Sequence, residues 1–99
     1  MSINQEKELK TMKIILQPQE VCGNCSFSGA IMYTKAFGEV FKEQTTKIIL
    51  ASMSLIFERV RKNVADYLQV FTVETDTDTI KFWVIDDGSY ITFLLPSDY

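Results

Sequence analysis

Three short apolar runs, separated by turn-forming residues, fill the last third of the chain and restrict its fold more than any other feature. They predict strands at 68–74, 79–86 and 89–95. Asp87-Gly88 favours a two-residue hairpin turn of type I′, because both central positions of that turn need positive φ. The segment therefore predicts a three-stranded antiparallel meander.

The two turns of this meander independently place the same side chains on one face of the sheet. The Asp-Gly turn pairs Val84 with Ile91, and a four-residue turn at 75–78 pairs Phe71 with Phe82. The shared face comprises Phe71, Val73, Ile80, Phe82, Val84, Ile91, Phe93 and Leu95. A face this apolar is expected to pack against an amphipathic helix.

That helix is predicted at 46–65, with Thr45 or Thr46 as its N-cap. Apolar residues recur there with a period of 3.6, at Ile49, Met53, Ile56, Val60 and Val64. The exposed side would carry a small basic patch, which we expect to be a solvated surface rather than a phosphate site. The patch consists of Arg59, Arg61 and Lys62.

The N-terminal half gives weaker signals. Residues 1–11 are predicted to be a mobile leader, and 13–17 a strand that Pro18 ends. Residues 29–43 fit either a helix capped by Ser28 or a pair of strands. The predicted fold class is α+β: an N-terminal strand, one or two helices, then the C-terminal meander.

Composition limits the classes of function. A chain of 99 residues predicts a single domain over 1–99. A polar N-terminus and the lack of a long apolar run predict a cytoplasmic protein without a membrane segment. The net charge of −3 disfavours nucleic acid as a partner. With no histidine, the usual general base is absent, and we predict that the protein is not an enzyme and has no cofactor.

The spacing Cys22-Gly-Asn-Cys25 is the one chemically suggestive motif. Redox chemistry would need it at a helix N-terminus, where a thiol pKa falls. Zinc would need four ligands, which two chains could supply by pooling Cys22 and Cys25. The prediction is two reduced thiols with no metal, and a dithiol redox or zinc-binding protein is the alternative.

The second face of the predicted sheet is also apolar. Either the first helix or the N-terminal strand covers it, or it binds a partner, for which tryptophan and tyrosine are favoured anchors. The protein-interaction candidates are Val70, Trp83, Ile85, Tyr90 and Leu94.

Acidic residues cluster in the two turns of the meander, at Glu74, Asp76 and Asp78 and at Asp86-Asp87. Aspartate and threonine side chains bond the local backbone in such turns, so we expect turn chemistry rather than a cation site.

Three segments, Asp66-Tyr-Leu-Gln-Val-Phe71, Val84-Ile-Asp-Asp-Gly88 and Thr92-Phe-Leu-Leu-Pro-Ser-Asp-Tyr99, together resemble a small domain family of unknown function from Firmicutes and their mobile elements. The resemblance covers the last half of the chain and does not extend to the cysteine pair. It implies a helix followed by a meander and a bacterial or phage setting, and it carries over no catalytic residue.

These observations predict a small non-enzymatic interaction module. Its partner would be another protein, or a second copy in a homodimer, bound through the apolar sheet face or the acidic turns. One concrete form is a phage- or plasmid-encoded inhibitor of a host defence or nucleic-acid enzyme.

Overall fold

The computed structural model describes residues 6–9 and 12–99 and has an α+β fold, which confirms the predicted class. Its strands are β1 (Glu6–Leu9), β2 (Met12–Leu16), β3 (Ala30–Tyr33), β4 (Leu68–Glu74), β5 (Thr79–Asp86) and β6 (Tyr90–Leu94). Its helices are α1 (Lys35–Phe41) and α2 (Thr45–Arg61), with 3-10 turns at Lys42–Gln44 and Pro96–Asp98. Within the described residues, no helix is long and apolar enough to cross a membrane.

All six strands form one mixed sheet in the order β1-β2-β4-β5-β6-β3. Neighbouring strands are antiparallel except β3, which runs parallel to β6 at one edge. The predicted three-stranded sheet is therefore wrong in extent: the meander β4-β5-β6 is flanked by strands from the N-terminal half. Pairing with distant strands satisfies the backbone groups that a three-stranded sheet would leave at its edges.

The prediction of a mobile leader over 1–11 is wrong for Glu6–Leu9, which forms β1 and pairs with β2. The rest of that segment, 1–5 and 10–11, lies outside the described residues. Lys13 of β2 forms an ion pair with Glu6 at 3.6 Å, which adds a side-chain contact between the two paired strands.

Residues 29–43 are neither one helix nor a pair of strands. They form the strand β3, followed by the helix α1. The N-cap of α1 is Thr34 rather than Ser28, and its hydroxyl accepts a hydrogen bond from the Phe37 N–H at 3.2 Å. The change from strand to helix falls at that cap because its side chain satisfies an otherwise unpaired N–H of the first turn.

The long helix α2 ends at Arg61 instead of at residue 65. Two residues after that end, Asn63 adopts a positive φ of 57°. Neither threonine is its N-cap: Thr45 and Thr46 are already helical, and Gln44 precedes them in the 3-10 turn. A preceding turn removes the need for a capping hydroxyl, because the chain enters α2 already wound.

The register of β4 against β5 matches the prediction, with Phe71 opposite Phe82. The register of β5 against β6 is wrong by two residues, because Val84 pairs with Phe93 instead of Ile91. The Asp87 N–H donates to the Tyr90 carbonyl at 3.1 Å, so the turn is centred on Gly88-Ser89, one position later than predicted. The Asp87 carboxylate accepts from the N–H groups of Ser89 and Tyr90 in this turn. A shift of two residues keeps every side chain on its predicted face.

The core lies between the predicted apolar face and both helices. Phe71, Phe82 and Phe93 are fully buried on that face, and Ile48 and Ile56 of α2 are buried with them. Phe37 of α1 packs edge-on against the Phe82 and Phe93 rings, with centroids 5.2 and 5.6 Å apart. Both helices therefore cover the same side of the sheet.

Candidate protein-binding surface

The opposite side of the sheet has no helix packed on it within the described part of the chain. Strand alternation places one set of β4, β5 and β6 side chains there. We call this surface the open face, and define it by Leu68, Val70, Thr72, Lys81, Trp83, Ile85, Tyr90, Thr92 and Leu94. The predicted cover is wrong, because α1 packs on the other side and the N-terminal strands β1 and β2 extend the sheet at its edge.

The structure brings the predicted interaction residues together on the open face. Val70, Trp83 and Leu94 form one row across three strands, and Ile85 lies two positions along β5. The predicted neighbour of Trp83 on β6 was Thr92, and the two-residue shift puts Leu94 there instead.

Their exposure differs. Tyr90 is 46% exposed, whereas Leu94 is buried. Val70, Trp83 and Ile85 are each partly exposed. The Trp83 indole packs against the ring of Tyr99, with centroids 5.5 Å apart. Because Tyr99 is itself 81% exposed, this aromatic pair lies on the surface rather than in the core.

A groove of about 450 Å³ continues the open face at the start of β4. Leu68 and Val70 belong to both surfaces, and Val21 and Tyr67 add exposed apolar area to the groove. Arg59 of α2 lines it from the helical side of the sheet. Glu20 and Asp66 also line it, so the groove joins apolar walls to one cationic and two acidic side chains. Such a mixture can recognise a partner side chain.

Arg59 does not belong to the exposed basic patch that the helical pattern predicted. Its guanidinium donates to Gln69 Oε1 at 2.6 Å and to the Gln17 carbonyl at 2.7 Å. Burial lowers its pKa. Arg61 and Lys62 remain exposed as expected. Sequence periodicity missed this contact because a long arginine side chain can reach around its helix.

Gln69 is fully buried among apolar residues and is the centre of this polar cluster. Its amide nitrogen donates to Gln19 Oε1 at 2.7 Å and to the Asp66 carbonyl at 2.9 Å. The Gln19 amide nitrogen also donates to the Val64 carbonyl, at 2.8 Å. These bonds tie the segment after β2 to the connection between α2 and β4, and so hold the groove walls in place.

The cysteine pair lies in the segment between β2 and β3, and the element that follows it is a strand rather than a helix. Cys22 is exposed and Cys25 partly buried, and both are free thiols. Burial raises the pKa of the Cys25 thiol, and the nearby carboxylates of Asp86 and Asp66 raise it further. A raised pKa reduces the thiolate fraction that redox chemistry needs. Among the described residues, no group of three metal-ligating side chains occurs.

The acidic turns bond their own backbone. Asp78 N–H donates to the Thr75 hydroxyl at 3.0 Å in the first turn. In the second, the Asp86 carboxylate accepts from Gly88 N–H and from Phe27 N–H, each at 2.9 Å. Backbone N–H groups of Tyr90 and Ser89 lower the pKa of the exposed Asp87 carboxyl. The predicted turn chemistry is what these contacts show.

Searches of protein-family models, curated proteins and solved structures find no match to this chain. The resemblance to the Firmicutes domain family therefore stays a prediction.

Proposed function

We propose that this protein is a non-enzymatic binding module that holds another protein on its open face and the adjoining groove. The observation that carries the proposal is the placement of both helices on one side of the sheet. Among the described residues, this leaves Val70, Trp83 and Ile85 partly exposed and Tyr90 46% exposed, with no helix over them. A contiguous apolar surface with aromatic members is typical of a protein contact.

The groove supports the same proposal, because it offers a recess beside an otherwise shallow sheet. An anchor residue of the partner could pack on Leu68 and Tyr67 while a polar group bonds the remaining Arg59 donors. Interfaces gain most of their affinity from such buried anchors rather than from area.

Inhibition of a host defence or nucleic-acid enzyme is one specific form of this function. The net charge of −3 and the exposed aspartates Asp76, Asp78 and Asp87 would complement the basic surface of an enzyme that binds nucleic acid.

The test is Trp83→Lys, with Leu50→Lys as the matched control on the outer side of α2, where Leu50 is 64% exposed. Loss of the aromatic pair with Tyr99 should lower stability by only about 1–2 kcal/mol. Affinity capture from the native host, followed by binding measurements with the purified partner, should show binding by wild type and by the control, and none by Trp83→Lys.

Thermal melts of all three proteins accompany the binding experiment. Unfolding of Trp83→Lys would assign the indole to the core, and binding at wild-type affinity would remove the open face from the interface. Either result contradicts the proposal.

A further inference from the structure

The two edges of the sheet differ in charge. β1 carries Glu6, Lys7 and Glu8, a pattern that discourages pairing with another strand. β3 has the sequence Ala-Ile-Met-Tyr with no charge, and all four residues are exposed. Ile31, Met32 and Tyr33 are 47%, 44% and 52% exposed. Charged side chains thus discourage further strand pairing at the β1 edge, and no charged side chain does so at the β3 edge.

Backbone hydrogen bonds show which groups of β3 are available. Ala30 N–H donates to the Ser89 carbonyl at 3.2 Å, and Thr34 N–H to the Phe93 carbonyl at 3.0 Å. Since the backbone groups of a strand point to alternate sides, Ile31 and Tyr33 direct their N–H and C=O groups away from β6. α1 contacts β3 through Tyr33, whose ring centroid lies 6.1 Å from that of Phe37, but all four residues of β3 remain exposed.

We propose that this protein forms a symmetric dimer in which β3 pairs antiparallel with β3 of a second copy. With the two-fold axis at Met32, Ile31 lies opposite Tyr33 of the second copy, and the reverse pair follows by symmetry. The outward groups of these residues then form four hydrogen bonds, in the narrow pairs of an antiparallel ladder. Met32 meets its own copy in the intervening wide pair.

A second copy suits this edge because, in this register, the two β3 strands are complementary in shape and charge. Ile31 and Tyr33 form β-branched–aromatic cross-strand pairs, a favourable combination. Residues 26–34 contain no charged side chain, and Lys35 falls opposite Gly29 of the second copy. Like charges therefore do not meet across the axis. The dimer would extend the sheet to twelve strands, with its two open faces side by side.

Sedimentation equilibrium tests the dimer at protein concentrations from about 10 μM to about 1 mM, which covers weak and moderate association. We expect the dimer fraction of wild type to rise over this range and Met32→Lys to remain monomeric, because it would place two ammonium groups together at the axis. Leu50→Lys, equally apolar-to-charged but on α2, should dimerise like wild type.

Cysteine cross-linking tests the register without relying on a charge change. In a Cys22→Ser/Cys25→Ser background, Met32→Cys should form a disulfide-linked dimer on oxidation, because wide pairs bring Cα atoms to about 4.5 Å. Ile31→Cys should not, since its own copy lies diagonally at about 7–8 Å.

Three outcomes would overturn the proposal. They are a wild-type protein that is monomeric at about 1 mM, a dimer that survives Met32→Lys, and equal cross-linking by Ile31→Cys. A dimer that Trp83→Lys abolishes and Met32→Lys leaves intact would move self-association to the open face. Neither the dimer nor its absence decides whether the open face binds another protein, so the two proposals fail separately.

Discussion

The contact between Arg59 and Gln69 should dominate the stability of the groove. Replacement of Arg59 by Met leaves the Gln69 carbonyl oxygen without a donor in a fully buried position. An unpaired buried acceptor costs about 1–3 kcal/mol, and bonds to charged groups contribute about 1.5–3 kcal/mol. We therefore expect Arg59→Met to lower the free energy of unfolding by about 2–3 kcal/mol. For a chain of this size the melting temperature should fall by about 10–20 °C.

Replacement of the other partner, Gln69→Leu, should lower the free energy of unfolding by a similar amount. It removes the acceptor for Arg59 and the donor to the Asp66 carbonyl. The double variant removes both partners and leaves two apolar side chains. Because the second substitution removes no further contact between these two side chains, the loss should stay at about 2–3 kcal/mol rather than reach the sum of the two.

Urea denaturation of the wild type, both single variants and the double variant gives the coupling energy directly. Arg61→Met is the control, because Arg61 is exposed and two positions away, and it should change stability by less than about 0.5 kcal/mol. Additive losses in the double variant would refute the reasoning, since they would mean that the two side chains do not act through each other.

Other changes test the sheet edge, the second hairpin and the thiols. Gly29→Ala should lower stability by about 1–3 kcal/mol in urea melts, because the added Cβ would lie 2.4 Å from the Ser89 carbonyl oxygen and push β3 from β6; unchanged stability would contradict that close approach. The folded-state pKa of Asp87 is lowered below 3.8, so its contribution is present at neutral pH and lost as pH falls through that lowered pKa. Acid titration of stability below pH 3.8 should therefore be steeper for wild type than for Asp87→Asn, and identical slopes would exclude this role. Cys22→Ser/Cys25→Ser should have the melting temperature of the wild type, and purified wild type should contain no stoichiometric zinc by metal analysis. Reduction of insulin by the wild type would favour the alternative dithiol function, and one zinc per two chains would favour the alternative zinc function.

The meander was predictable because its information is local. Alternation assigns the faces, and the threonine–aspartate turn at 75–78 gives the β4–β5 register. The predicted register of the second hairpin was wrong by two residues. The Asp87 side chain, rather than a backbone carbonyl, accepts from the N–H groups of Ser89 and Tyr90 in that turn, and residue identity alone does not reveal this.

The N-terminal half was not predictable in the same way. β1 reads Glu-Lys-Glu-Leu and has no apolar alternation, so only its pairing with β2 makes it a strand. β3 joins β6 by a parallel contact between distant segments, for which a single sequence carries no signal.

For the binding surface, the sequence predicted the residues of the open face but left open whether the first helix, the N-terminal strand or a partner covers it. Among the described residues, neither of the first two does. It placed Arg59 among exposed charges because periodicity assigns only the side of α2 from which the side chain starts. The position of the guanidinium group depends also on the length of the arginine side chain.

The strand order also sets the timing of folding. Both flanks of the sheet come from the first third of the chain, whereas its centre, β4-β5-β6, comes from the last third. Ile14 must find Val73, and Ile31 must find Ile91, each across about 60 residues of intervening chain. Such loop closures are slow, so we expect folding in milliseconds to seconds rather than microseconds. During synthesis, β2 can pair early with β1, but β3 remains without its partner until β6 has left the ribosome. In that interval the uncharged β3 segment is open to wrong pairing or to chaperones.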